Sequence, residues 1–248
     1  MKRVNRVNRA NRANTNRTEL RKKILAANDA AAARLRQRFA ETGTLVIDLV
    51  SSPGAGKTSL LEATVRRMAG ELELGVIVGD VATELDAERL RRAGCPARQI
   101  VTGGACHLDA RMVTDALDAL DCVPIEVLFL ENVGNLVCPA AYDLGEDFKV
   151  ALLSVAEGDD KPFKYPAVFA KAGVTVVTKI DLLGHAPFDL AKAGEQVMTL
   201  NPGARVVPLS VFDGWGMDAW CELLRGELRA KRASRTRLAA SEEPLTNA

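Results

Sequence analysis

The 248-residue chain is poor in the features that mark several protein classes. Aromatic residues make up only 4% of it, and it has two histidines. No uncharged apolar run reaches the ~18 residues that a membrane-spanning helix needs, and no apolar stretch follows the basic N-terminus as it would in a secretory signal. Five cysteines without dense spacing argue against a disulfide framework. We therefore expect a globular protein of a reducing, cytoplasmic compartment, with no membrane partner.

Charge is unevenly distributed although the formal net charge is only +1. The first 18 residues carry six basic and no acidic side chains, within a repeated Asn-Arg pattern. Such a segment has little apolar surface to bury, so we predict that residues 1–17 form a disordered tail. A solvated tail is favoured over an electrostatic arm for an acidic partner, and the net charge gives no reason to expect nucleic acid. Residues 231–248 are predicted to form a second flexible tail.

The remaining pattern predicts an α/β fold. Residues 18–40 have apolar positions at helical spacing and are predicted to form an N-terminal helix. From 41 to 230, short apolar runs rich in β-branched residues alternate with helical segments, beginning with a strand at Thr44–Val50. This alternation predicts a mostly parallel sheet with helices on both faces. Ligands of such sheets bind beyond the carboxyl ends of the strands, where the motifs below fall.

The first strand is joined to its helix by a phosphate-binding sequence, Ser-Ser-Pro-Gly-Ala-Gly-Lys-Thr at Ser51–Thr58. Glycines allow backbone N–H groups to surround phosphate oxygens, and a helix N-terminus attracts the same anion. Lys57 is expected to reach the β- and γ-phosphates and Thr58 to bind Mg²⁺. Although Ser51 replaces the usual first glycine, the strand–loop–helix context favours a P-loop NTPase over a bare turn. The predicted phosphate-binding residues are Gly54, Ala55, Gly56, Lys57, Thr58 and Ser59.

Two carboxylates at strand ends can complete a magnesium site. Asp80 and Glu131 each follow an apolar strand, and we expect them, with Thr58, to hold Mg²⁺. They are also the two candidates for positioning the attacking water, and with Lys57 they form the predicted catalytic set. Gly134, three residues after Glu131, lies where P-loop enzymes sense the γ-phosphate.

A second motif, Thr178-Lys-Ile-Asp181, follows a later strand and predicts guanine recognition. The Asp181 carboxylate can accept two N–H groups that guanine offers and adenine lacks, and the stem of Lys179 can pack along the base. The backbone of Ser210 and Val211 could donate to the guanine oxygen. Guanine-specific proteins usually have Asn at the position of Thr178, which predicts weaker base binding here. The expected nucleotides are GTP and GDP.

Cys106, His107 and Cys138 are candidate ligands for a soft metal. The segment with Cys106 and His107 and the segment with Cys138 each follow the end of a predicted strand. Thiolate and imidazole ligands suit Zn²⁺ or Ni²⁺. Their spacing matches no zinc finger, however, and three ligands leave a four-coordinate metal one short. A buried thiol and a helix-start histidine therefore remain the alternative from the residues alone. The other cysteines lack ligand neighbours in sequence and are predicted to lie in the core: Cys95, Cys122 and Cys221.

From about Thr44 to Leu224 the chain resembles the HypB family, the GTPases that assist nickel insertion into [NiFe] hydrogenase. The most specific motif is Glu-Asn-Val-Gly-Asn-Leu-Val-Cys-Pro at Glu131–Pro139. Further matching segments are Ser52–Thr58, Asp86–Arg89, Gly104–Ala110 and Glu157–Pro162. The N-terminal Asn/Arg repeat stands in place of the Cys-x-x-Cys or His-rich stretches of some members.

The resemblance implies a nucleotide-dependent homodimer with metal at the subunit interface, bound by Cys106, His107 and Cys138. It also implies GTP hydrolysis, with a nickel-delivery protein and a hydrogenase large-subunit precursor as partners. A related GTPase that serves urease or a cobalamin enzyme is one alternative, and the Cys-His and Val-Cys-Pro motifs argue against it. A non-catalytic metal- or nucleotide-binding module is another alternative, and it is opposed by the intact Lys57, Thr58, Asp80 and Glu131.

Overall fold

Short strands rich in Val, Ile and Leu form one parallel sheet at the centre of the protein. The computed structural model describes the backbone of residues 2–81, 84–120 and 124–242, and side chains between 18 and 237 in these ranges. Seven strands pair in the order β3-β2-β4-β1-β5-β6-β7, every neighbouring pair being parallel. They are β1 (Leu45–Ser51), β2 (Leu74–Asp80), β3 (Ala97–Val101), β4 (Val127–Glu131), β5 (Phe148–Ser154), β6 (Ala172–Thr178) and β7 (Arg205–Pro208).

Helices cover both faces of this sheet, as the alternating sequence pattern predicts. In the described part of the chain they are α1 (Lys2–Thr42), α2 (Lys57–Arg67), α3 (Leu85–Arg92), α4 (Ala110–Asp118), α5 (Lys161–Lys164), α6 (Pro166–Lys171), α7 (Leu190–Leu200) and α8 (Met217–Glu242). Helices α2, α3 and α8 pack in one core cluster, whereas α1, α4, α6 and α7 contribute to clusters on the other face. The predicted α/β architecture is therefore confirmed.

The central strand β1 shows why the sheet is buried on both sides. Alternate residues of a strand point to opposite faces, and Ile47 and Leu49 join the α2–α8 cluster while Val46 joins the α1–α4 cluster. On the α2–α8 side, the Trp220 indole is fully buried and donates a 2.9 Å hydrogen bond to the Thr64 hydroxyl. Truncating so large a core side chain typically costs about 3–5 kcal/mol.

The two terminal helices are longer than the sequence predicts. Helix α1 extends back to Lys2, where a disordered tail is expected, and α8 continues to Glu242, beyond the expected start of the C-terminal tail at 231. Neither additional stretch contains Gly or Pro, and both contain several Arg residues, which favour helices. The Arg235 guanidinium also donates to the Thr42 carbonyl at 3.2 Å, which joins the two helices.

Two predicted core cysteines are confirmed. Cys95 and Cys221 are buried, whereas Cys122 lies outside the described residues. No helix in the described ranges combines the length and the apolarity that crossing a bilayer requires.

Candidate functional site

The carboxyl ends of β1, β2 and β4 meet around a cavity of about 470 Å³. The cavity brings together the predicted catalytic side chains, which are 23 to 74 residues apart in the sequence. It is lined by Pro53, Gly54, Gly56, Lys57, Thr58, Ser59, Gly79, Asp80, Val81, Asp86, Arg89, Glu131, Asn132, Val133, Gly134 and Lys179. A polar cavity at this edge of a parallel sheet is the expected place for a phosphate-bearing ligand.

The P-loop adopts a conformation that its glycines permit. Gly54 and Gly56 have φ of 76° and 97°, which side-chain-bearing residues rarely adopt, and Gly56 precedes the first turn of α2. The Lys57 ammonium lies 3.1 Å from the hydroxyl of buried Ser51, the residue that replaces the usual first glycine. Burial lowers the pKa of Lys57, partly opposed by the nearby Glu131 carboxylate. A buried ammonium so placed is suited to bind an anion.

Glu131 is the most unusual ionisable group in the cavity. Its Oε1 accepts a 2.7 Å hydrogen bond from the Thr58 hydroxyl, while its Oε2 is buried without a hydrogen-bond partner among the described residues. Burial raises the pKa of Glu131 to about 7, against the opposing charge of Lys57. A carboxylate and a hydroxyl are the hard oxygen ligands that Mg²⁺ prefers. The residues present therefore fit a magnesium ion, with Asp80 lining the same cavity.

Gly134 allows the segment after β4 to pack directly on the P-loop. A Cβ atom at this position would lie 3.0 Å from the Cα and backbone N of Pro53, closer than backbone atoms normally tolerate. A side chain here would require Pro53 to move away by a few tenths of an ångström. The loop that leads from Glu131 to Cys138 thus lies directly against the P-loop.

The predicted base-recognition residues gather in an adjoining cavity of about 320 Å³. It is lined by Ala55, Gly56, Ser59, Thr178, Lys179, Asp181, Val211 and Phe212. The buried Thr178 hydroxyl donates to the Ala55 carbonyl at 2.7 Å, so it ties β6 to the P-loop. Lys179 has a left-handed backbone, with φ of 59°, and its ammonium donates to the Gly54 carbonyl at 2.8 Å. Its stem therefore crosses the P-loop beside the cavity.

Ser210 has a different contact from the predicted one. Its N–H donates to the Trp215 carbonyl at 2.9 Å, and its hydroxyl accepts from the N–H groups of Phe212 and Asp213. These bonds close the loop after β7 on itself. Ser210 thus shapes the loop, and of the predicted pair only Val211 lines the cavity.

The structure also brings the three candidate metal ligands together. The ligand atoms of Cys106, His107 and Cys138 all lie within 4.8 Å of one another. The two sulfur atoms are 2.8 Å apart, and Cys106 Sγ is 3.7 Å from His107 Nδ1. The hydrogen bond with Cys106 and burial raise the pKa of the Cys138 thiol, while burial lowers the pKa of His107. A neutral imidazole and two thiols form a donor set for a soft or borderline divalent metal.

Local structure fixes both arms of this cluster. Asp109 caps α4 by accepting a 2.9 Å hydrogen bond from the Met112 N–H, so the preceding His107 and Cys106 lie just before the helix. Cys138 immediately precedes a 3₁₀ turn at Pro139–Ala141.

Several site residues have no role in the sequence-based prediction. Asp86 and Arg89 line the P-loop cavity, and Arg89 forms an ion pair with Glu62 at 2.8 Å. Their Asp-Ala-Glu-Arg motif was available as a signal, since it belongs to the family resemblance. Tyr142, whose ring stacks on His107 at 3.8 Å, and Phe212, which is 89% exposed beside the base cavity, carry no such signal.

Comparison with known proteins gives a consistent result. Residues 45–208 match the family described as "CobW/HypB/UreG, nucleotide-binding domain". Hydrogenase maturation factor HypB of Escherichia coli strain K12 is 48% identical over 201 residues, which cover 81% of this chain and 69% of that protein.

Two solved structures share the fold at 38% sequence identity. HypB from Archaeoglobus fulgidus has a TM-score of 0.77, and the match covers 82% of this chain and 100% of that one. HypB from Helicobacter pylori in complex with nickel has a TM-score of 0.78, covering 82% of this chain and 96% of that one.

Proposed function

Because the chain belongs to the HypB family of hydrogenase maturation factors, we propose that it is a GTP-hydrolysing metallochaperone that assists nickel insertion into [NiFe] hydrogenase. The observation that carries this proposal is the presence of two sites in one chain. A P-loop cavity containing Lys57 and Glu131 adjoins the segments that bring Cys106, His107 and Cys138 together. The nickel complex of the Helicobacter pylori relative supports nickel as the cargo.

In the proposed hydrolysis, the chain mainly orients and neutralises the triphosphate. The P-loop N–H groups and the α2 N-terminus bind phosphate oxygens, and the Lys57 ammonium neutralises charge on the β- and γ-phosphates. Thr58, Glu131 and Asp80 would hold Mg²⁺, which lowers the charge repulsion at the phosphates. Glu131 and Asp80 are the two carboxylates able to orient the attacking water. Asp181, with Lys179 beside it, reads the guanine base.

The metal cargo would occupy the Cys106–His107–Cys138 cluster. Three ligands from one chain leave coordination positions open, which a second copy of the cluster can supply across a two-fold axis. We therefore propose a homodimer whose metal site forms between subunits, with nickel as cargo and zinc as a competing ion. A nickel-delivery protein and the hydrogenase large-subunit precursor are the proposed partners. Free thiol ligands require a reducing compartment, which supports a cytoplasmic location.

Two assays on the full chain test this function. Phosphate release is measured with GTP and with ATP for the wild type and for Lys57→Ala, and bound nickel per chain is measured by equilibrium dialysis. We expect release from GTP alone, well below the ~10 s⁻¹ median of enzymes, loss of release in Lys57→Ala, and nickel binding in both proteins. Equal turnover of ATP and GTP, or wild-type protein without bound nickel, would contradict the proposal.

A further inference from the structure

A buried amide lies between the phosphate cavity and the metal cluster. Asn132 directly follows Glu131, is 1% exposed and lines the phosphate cavity. Its Oδ1 accepts 3.1 Å hydrogen bonds from the N–H groups of Leu108 and Val133, and its Nδ2 donates to Asp48 at 3.1 Å. Leu108 is the residue after His107. One side chain therefore connects the end of β4 with the segment that carries two metal ligands.

The same network reaches His107 from its other side. The second carboxylate oxygen of Asp48 accepts a 2.6 Å hydrogen bond from Lys149, and the Lys149 ammonium also donates to the Tyr142 carbonyl at 3.0 Å. The Tyr142 ring stacks on the His107 imidazole. Asp48 is thus held between two routes. One leads through Asn132 to the N–H of Leu108, the residue after His107, and the other leads through Lys149 and Tyr142 to the His107 ring.

The network contains charges whose burial stability alone does not explain. Asp48 and Lys149 are both buried, and Glu146 pairs with the same ammonium at 2.7 Å. Buried ion pairs are often no more stabilising than apolar side chains of similar volume, because desolvating both charges offsets their attraction. Their geometric effect is clearer, since fixed charges and an amide hold their partners in one arrangement. Asp48 therefore fixes the orientation of the Asn132 amide.

We infer that Asn132 is a positioning residue that transmits the state of the phosphate cavity to Cys106 and His107. This inference rests on the proposed function, because it requires the chain to bind both GTP and a metal. The unpartnered oxygen of Glu131 faces a different ligand environment with and without the γ-phosphate, so Glu131 adjusts between the GTP and GDP states and the adjoining Asn132 amide moves with it. The Leu108 N–H then either moves with Asn132 Oδ1 or loses its hydrogen bond to that oxygen. In both cases the Cys106–His107 segment has a different position in the GTP and GDP states. This route begins in the segment that also leads to Cys138, but it reaches Cys106 and His107 through the side-chain contact of Asn132 with the Leu108 N–H.

Asn28 of α1 provides a matched control. It is also buried, its Oδ1 accepts from the Ala110 N–H at 2.9 Å, and its Nδ2 donates to the Asp143 carbonyl at 2.8 Å. It therefore holds the same ligand-bearing segment, two residues further along. Unlike Asn132, it is absent from the lining of the phosphate cavity as the described residues form it. A purely structural role predicts similar effects of both asparagines.

The test is a nickel titration of full-length wild type, Asn132→Ala and Asn28→Ala, each with GDP and with a non-hydrolysable GTP analogue. We expect wild-type nickel affinities to differ between the nucleotides by at least about fivefold. In Asn132→Ala that ratio should fall to within about twofold. In Asn28→Ala both affinities should fall while the ratio persists. An unchanged ratio in Asn132→Ala, or equal loss of the ratio in both variants, would overturn the inference.

A measurement on the wild type avoids dependence on the folding of a variant. The amide resonance of Leu108, whose acceptor is Asn132, should shift between the GDP and GTP-analogue forms, whereas that of Ala110 should move much less. Equal or absent shifts overturn the inference. If the wild type hydrolyses GTP but binds nickel with the same affinity in its GDP and GTP-analogue forms, the inference is overturned and the proposed function stands. Failure of either basic activity overturns the proposed function and the inference with it.

Discussion

The Thr58 hydroxyl donates a 2.7 Å hydrogen bond to Oε1 of Glu131, although 73 residues separate them. The bond joins the first turn of α2 to the end of β4 and leaves the second Glu131 oxygen buried without a partner among the described residues. The protein thus keeps an unsatisfied carboxylate beside its P-loop. Such a group is unfavourable in the folded protein alone and becomes favourable when a cation neutralises it.

Replacement of Glu131 by Gln should change how stability depends on pH. Burial raises the pKa of Glu131 from its ordinary 4.5 to about 7 in the folded protein. The folded state therefore binds more protons between these values, and this contribution to stability is lost as pH rises from about 4.5 to 7. Gln cannot ionise, so the variant lacks this loss. We expect the free energy of unfolding of nucleotide-free Glu131→Gln, relative to that of the wild type, to be higher at pH 8 than at pH 4.5 by on the order of 3 kcal/mol. Urea unfolding at both pH values measures the difference.

The control for this experiment is Glu195→Gln, which changes an exposed glutamate on α7. Its free energy of unfolding should follow that of the wild type at each pH. If Glu131→Gln also follows the wild type, the buried carboxylate has no raised pKa and the cation site is not as described.

Replacement of Cys138 by Ser should weaken nickel binding by more than the ~10–100-fold that a change outside the ligand set typically causes. Metal binding displaces thiol protons, and the pKa of Cys138 is raised by Cys106. Affinity in the wild type should therefore fall as pH falls. Calorimetric titration at pH 6, 7 and 8 measures both effects. Cys95→Ser is the control, because a serine hydroxyl can retain the hydrogen bond of that thiol to Leu74. Wild-type affinity in Cys138→Ser would remove this residue from the metal site.

The asparagine substitution of Asp181 should lower GTP affinity about ten- to hundredfold. It replaces an acceptor-only carboxylate with an amide and so removes a charged hydrogen-bonded contact of roughly 1.5–3 kcal/mol. Fluorescence titration of GTP and ATP measures the change. Asp213→Asn lies on the nearby loop and can still accept from the Trp215 N–H, so it should bind GTP normally. Equal behaviour of the two variants would exclude base recognition by Asp181.

Alanine at Gly134 should impair binding of a GTP analogue more than binding of GDP. The added Cβ would lie 3.0 Å from Pro53 backbone atoms and displace the Gly134 loop from the P-loop. Only a γ-phosphate requires the Gly134 loop to lie in that position. We expect at least about a tenfold loss for the analogue, since a lost charge-assisted hydrogen bond costs roughly 1.5–3 kcal/mol. Gly194→Ala on α7, where a Cβ meets no atom within 4 Å, is the control. Equal losses for GDP and the analogue would contradict γ-phosphate sensing.

Local patterns were sufficient to predict the sheet and to predict residues that line one cavity at its edge. Lys57, Thr58 and Glu131 belong to strand-end motifs, and a parallel sheet brings strand ends to one edge. The cysteine cluster was uncertain from spacing alone, because Cys106 and Cys138 are 32 residues apart and meet only through tertiary structure. The contacts of Ser210 and Tyr142 depend on how loops close, which no local pattern encodes. The prediction for the start of helix α1 differs from the structure because disorder was inferred from the lack of apolar surface, whereas a segment without Gly or Pro and with several Arg residues can still form a helix.

The reciprocal of the nickel titration tests most directly whether the two sites act together. The affinities of the wild-type protein for GDP and for a non-hydrolysable GTP analogue are measured with and without nickel. Thermodynamic linkage requires nickel to change the ratio of these two affinities by the same factor by which nickel affinity differs between the two nucleotide forms. We predict a change of at least about fivefold. A ratio unaffected by saturating nickel would contradict the account.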